Sequence, residues 1–344
     1  MRLSLPWIRG LRYDAAFILA PPFVSLLIVA LLPAQYKGTA AMPLAAWVVL
    51  VLLVDVAHVW STLFRTYLDK ERMARQRTLF LAAPVLCYGA GVVLYSLGSL
   101  VFWRTLAYLA VWHFVRQQYG FMRIYARKES SARWARTLDA VAVYAATLYP
   151  LVWWHLSPGR NFDWFVEGDF VVGDGAVWRA AVGGLYAGIL LAYVGKELWL
   201  LHRGGALNAP RNLLILGTAA SWYFGIVVFN GDLAFTLLNV VAHGIPYMAL
   251  VWHTARGARG PATKALAARS GWVVFLLALF ALAFLEEGLW DGLVWREHSG
   301  LFAMFSALPR IGDHTALSLL VPLLALPQAT HYVLDAFIWR RRDG

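Results

Sequence analysis

Runs of about 20 mostly apolar residues recur ten times in this chain, over 15–33, 41–64, 79–98, 100–122, 138–157, 178–201, 212–229, 233–255, 271–289 and 315–339. A helix rises about 1.5 Å per residue, so each run spans the roughly 30 Å hydrocarbon core of a bilayer. Inside that core every backbone N–H and C=O must be satisfied within the protein, which leaves helices and closed barrels. Barrel strands alternate apolar and polar residues, an alternation these runs lack. The expected fold class is therefore all-α: a polytopic transmembrane helix bundle of about ten spans, forming one integral membrane domain over residues 1–344. Pro21-Pro22 inside the first run predicts a kink there.

Composition agrees. Charged residues make up 14% of the chain and apolar or aromatic ones 60%, against about 25% charged in soluble domains. That excludes a soluble enzyme and a disordered chain. Cys87 is the sole cysteine, which excludes an intrachain disulfide or a cysteine-based metal cluster.

The net charge of +11 would suggest nucleic acid in a soluble protein, but its distribution points elsewhere, and no nucleic-acid partner is expected. Of the 30 Lys and Arg, 23 fall in one alternate set of linkers, six fall in the other, and Arg116 lies within a span. The richer set, which includes Lys196, Arg211, Arg259, Lys264, Arg269 and Arg340 to Arg342, should face the cytoplasm. Both termini then lie inside, and the span count is even. Arg2, Arg9 and Arg12 precede the first run as in a signal peptide, but no small-residue cleavage site follows, so a retained first helix is expected. The expected location is a bacterial inner (cytoplasmic) membrane, with membrane lipids as partners. Seventeen Trp and fifteen Tyr suit interfacial belts. Two outer segments are long: 158–177 reads as a loop, and 288–314 has room for an interfacial or re-entrant helix.

An ionisable group in a span costs about 2.5–3.5 kcal/mol on insertion scales and so needs a reason. Four spans carry such groups: Asp55 and His58; His113 with Arg116 and Gln117; Asn239 and His243; and His331 with Asp335. All four spans run from outside to inside. Counted from their inner ends, the histidines fall within roughly 9 Å of depth, so they can converge. Imidazole is the commonest protein metal ligand. Each histidine also has a carboxylate or amide three or four residues away on its own helix face. Such a neighbour fixes the ring tautomer, or ligates a metal itself.

Other chemistry remains open. Asp–His pairs also build proton relays, so a proton-coupled transporter is an alternative. A b-haem electron-transfer protein is another, although paired haems usually need histidines at two depths. Cys-x-x-Cys-His and His-Glu-x-x-His are absent. The remaining histidines (His155, His202, His253, His298, His314) and the pair Glu286-Glu287 fall at span ends, where solvent contact is expected. Arg116 is placed to pair with Asp55 or Asp335, or to hold an anionic head group.

Trp112-His113-Phe114 and His243-Gly-Ile-Pro-Tyr247, with the chain length and the one-histidine-per-helix layout, resemble the bacterial Brp/Blh β-carotene dioxygenases. The resemblance covers short stretches. It implies a polytopic fold, intramembrane histidines holding non-haem iron, and cleavage of a carotenoid to retinal.

The expectation is thus a membrane-embedded metal-dependent oxidoreductase, an oxygenase. His58, His113, His243 and His331 would be the metal ligands. Asp55, Gln117, Asn239 and Asp335 would be the catalytic or orienting groups. One or two non-haem irons would work with O2 and an electron donor on a hydrophobic substrate from the bilayer, lipid, isoprenoid or carotenoid-like; no further cofactor site is expected.

Overall fold

The computed structural model describes residues 2–256 and 270–339. Arg259, Lys264, Arg269 and Arg340 to Arg342, expected on the inner side, lie outside them. The protein is all-α, and the sole sheet among the described residues pairs β1 (Arg2–Ser4) in parallel with β2 (Ala206–Asn208). That short pairing was not foreseen; three residues carry no strand periodicity.

Besides a short helix over Lys70–Arg75, the helices are α1 (Leu11–Leu19), α2 (Pro21–Leu31), α3 (Leu44–Arg65), α4 (Arg77–Leu97), α5 (Ser99–Tyr125), α6 (Arg133–His155), α7 (Ala176–His202), α8 (Ala209–Val228), α9 (Asp232–Ala255), α10 (Gly271–Trp295), α11 (His314–Leu324) and α12 (Leu326–Ile338). Each of the ten expected runs is helical. Six helices are long and apolar enough to cross a membrane, and eight segments qualify if each bent pair is one span. One bent pair is α1 and α2, which meet at 49° beside Pro21-Pro22. The other is α11 and α12, which meet at 45°. The two runs short of the apolar threshold are α5 and α6. With 27 and 23 residues they have the length, but each carries several charges, among them Arg104, Arg116 and Arg123, and Arg133, Arg136 and Asp139.

The chain divides into two compact units. The first comprises residues 1–43 and 114–246. In it α6 packs on α7 and α8, and α2 packs on α8 and on the first turns of α9. Asn208 caps α8 by accepting the Arg211 N–H at 3.1 Å. A buried ion cluster lies here. Lys196 of α7 pairs with Asp139 of α6 and, at 2.5 Å, with Glu197. Arg211 of α8 binds Glu129 at 2.7 Å, Asp139 at 3.1 Å, and also Glu197. Lys196 and Arg211 were expected as inner-loop charges; both are buried, because α7 and α8 extend their first or last turns far enough to bring them together. Segment 158–177 is a loop as expected. Asp169 closes it by accepting backbone N–H bonds from Phe165 and Val166.

The second unit comprises residues 44–113 and 247–344. Here α4 packs on α11 and α12, and α3 packs on α10 and α12. A Cβ at Gly91 would lie 2.8 Å from Pro322, so glycine is what lets α4 and α11 close at that point. In segment 288–314, α10 continues to Trp295 and a single 3-10 turn lies at Ala303–Phe305. Arg296, left-handed at φ 62°, ends α10 there and donates to the carbonyls of Ser306 and Leu308.

Candidate metal centre

Helix α3 is π-helical over Val48–Val56 and returns to α just before His58. Wide turns of this kind recur at functional sites. This one brings Asp55 Oδ1 within 3.5 Å of His58 Nδ1. His58 is fully buried, with its ring edge-on to His331 at 5.1 Å between centroids.

His331, on α12, is also buried. Its Nδ1 lies 2.6 Å from Thr62 Oγ1, and Thr62 in turn meets the Tyr247 hydroxyl at 3.1 Å. Its Nε2 faces His113 Nε2 at 3.0 Å. The other nitrogen of His113 sits 3.2 Å from Asp335 Oδ2. Asp335 therefore reaches across to α5 instead of serving His331 one turn earlier on its own helix. Its second oxygen accepts from the Trp339 indole. The helical spacing places Asp335 and His331 on one face, but His331 Nδ1 meets Thr62 and the Asp335 carboxylate meets the His113 ring of the neighbouring helix.

His243 is buried in α9, its ring stacked on Phe114 at 3.5 Å. The Gln117 amide donates to the His243 backbone carbonyl at 2.9 Å, so Gln117 supports the chain at His243 and does not touch the His113 ring it was expected to orient. Asn239 donates to the Phe235 carbonyl at 2.9 Å. The side-chain oxygens of Gln117 and Asn239 are buried and meet no hydrogen-bond partner. One ligand nitrogen from each of His58, His113 and His331, all in the second unit, can be chosen so that they lie within 4.8 Å of one another. A single ion with nitrogen ligands at about 2.1 Å spans about 4.2 Å across, so small side-chain shifts suffice. The set is chemically apt: buried imidazoles, with a carboxylate beside His58 and His113 and a hydroxyl beside His331. This histidine group could hold a metal ion.

The other candidates are placed differently. Arg116 donates to the Tyr144 hydroxyl and lies over the Tyr119 ring at 4.9 Å, so the foreseen pairing with Asp55 or Asp335 is replaced by an aromatic one. Glu286 is buried, not solvated: it accepts from Trp60 Nε1 at 2.6 Å and from Gln328 at 2.9 Å. Helix α10 continues past it to Trp295, so the expected span end falls inside the helix. His155 bonds the Val171 carbonyl at 2.6 Å, and His298 packs on Trp47. Thr62 and Tyr247 were missed as members of the centre. Each follows a histidine by four residues, His58 and His243 respectively, and that spacing was the available signal.

No protein-family model matches this chain, and no curated protein or solved structure matches it either.

Proposed function

We propose that this protein is a membrane-embedded non-haem iron oxygenase that acts with O2 on a hydrophobic substrate. The observation that carries this reading is the 3.0 Å approach of His113 Nε2 and His331 Nε2. Asp335 stands behind Nδ1 of His113 and Thr62 stands behind Nδ1 of His331, so in each ring the nitrogen turned toward the other ring is the one placed to ligate an ion. His58 joins them in the second unit, and His243 would be the fourth ligand expected from the sequence.

When bound, the metal supplies O2 activation. The chain's own residues do the rest. Asp335 and Thr62 hold the rings in register, Asp55 holds His58, and Tyr247 keeps a hydroxyl within hydrogen-bond reach of Thr62. Apolar helix walls exclude water and admit a lipid-soluble substrate. Iron is favoured over zinc by the mixture of imidazoles with nearby carboxylates. The resemblance to the Brp/Blh dioxygenases puts carotenoid-like molecules among the substrates. Ten spans with both termini cytoplasmic, in a bacterial inner membrane, complete the reading; α5 and α6 would cross as helices whose charges are covered by neighbours.

Elemental analysis and an absorption spectrum of the purified protein test it. One or two irons per chain without a Soret band are expected, and His113→Ala should empty the site. A Soret band would make it a haem protein. A metal-free wild-type chain would favour proton transport through the Asp–His pairs.

A further inference from the structure

Beside His331 lies a cavity of about 240 Å³. Its lining includes Trp60 and Thr62 of α3, Pro84 of α4, and Leu326, Thr330 and His331 of α12. Its origin is local. Gly91 draws α4 against α11 at Pro322, and α12 then leaves α11 at 45°. Pro84 interrupts the α4 hydrogen-bond ladder on the same side, seven residues before Gly91.

The walls are mostly apolar, and the polar groups among them include Thr62 and His331, the pair already hydrogen-bonded at the centre. Leu323 lines the cavity and is 52% exposed, so the cavity meets the outer surface there, and Val85, next to Pro84, is 70% exposed. In a membrane protein these are lipid-facing positions. The volume is also informative. A cavity of about 150 Å³ takes up benzene, and sites that enclose a whole drug-sized ligand run from about 300 Å³ upward. This one has room for a segment of a lipid-soluble molecule, not for the whole.

We infer that this cavity is a binding site for the terminal segment of a single hydrocarbon chain, entering sideways from the bilayer beside Leu323 and ending against Thr62 and His331. The inference rests on the oxygenase reading for its purpose, since it would bring a carbon near the end of the chain to the metal while the remainder stays among lipids. It also names a specificity determinant: Leu326 limits how much of the chain can enter.

The test uses the full chain in phosphatidylcholine nanodiscs with two C16 fatty alcohols, one carrying a photoreactive diazirine at its terminal carbon and the other at carbon 3. After irradiation, the terminal probe should label peptides containing Pro84 or the stretch from Leu326 to Leu334, at least tenfold more than the carbon-3 probe. Leu326→Trp, which fills the cavity, should remove that labelling. Leu323→Trp, which plugs the mouth from a half-exposed position and spares the packed interior, should do the same. Equal labelling by both probes, or full labelling of a folded Trp variant, overturns the site. Iron content, measured on the same wild-type sample without probe, separates this from the parent reading. Iron without selective labelling removes only the hydrocarbon site; selective labelling of an iron-free protein removes only the oxygenase.

Discussion

Two buried polar clusters in this molecule solve the same problem in opposite ways. In the first unit, Lys196 and Arg211 meet Asp139, Glu197 and Glu129, so each charge faces charges of the other sign. In the second, His58, His113 and His331 bring imidazole rings together, with carboxylates only behind His58 and His113. The ion cluster ties α6, α7 and α8 together through opposite charges. In the histidine centre, Asp335 and Thr62 stand behind His113 and His331, whose other nitrogens face each other at 3.0 Å. A cluster that balances its own charges orients helices, whereas ring nitrogens turned toward one point are the arrangement a bound ion would use.

The two clusters should therefore fail differently. The largest effect expected is from Asp139→Ala, which strands Lys196 and Arg211 in the interior. Removing one partner of a buried pair costs about 3–5 kcal/mol, so thermal unfolding in detergent should move down sharply, while iron per folded chain stays at the wild-type level. Parallel loss of iron would erase the distinction drawn above. Next, His331→Ala should weaken metal binding by more than about 100-fold, roughly 2.7 kcal/mol, with folded yield retained. A variant that unfolds while keeping its metal would mark the centre as merely structural.

Asp335→Asn sharpens the same contrast. The amide keeps the shape but weakens the hold on the His113 proton, and such supporting partners are worth about 10–100-fold in metal affinity; titration with Fe(II) under anaerobic conditions reads it. Smallest of all is Arg75→Ala. Arg75 and Glu71 pair at 2.6 Å with side chains 74% and 48% exposed, and such surface pairs are worth at most about 1 kcal/mol. Neither melting nor metal content should move beyond that.

Much of the architecture can be read without coordinates. The ten apolar runs coincide with helices, and Pro21-Pro22 marks a real bend of 49°. The four histidines stand out because charge and polarity are scarce in the runs around them. What could not be read is which group answers which. Helical periodicity tells that Asp335 shares a face with His331, but says nothing of the neighbouring helix that presents His113 to it. For the same reason Thr62 was overlooked: a threonine in a span is ordinary until a histidine 269 positions away settles 2.6 Å from it. Glu286 was misplaced by the position of a helix end, which is the least legible boundary in any sequence.

Hydropathy alone made this chain a helical membrane protein, because lipid leaves the backbone no other partner than itself. The tertiary structure decided the chemistry of its interior. Which imidazoles meet, which carboxylate stands behind each, and where a cavity opens beside them all depend on contacts between helices distant in the chain, and a one-dimensional pattern carries no distances across that gap.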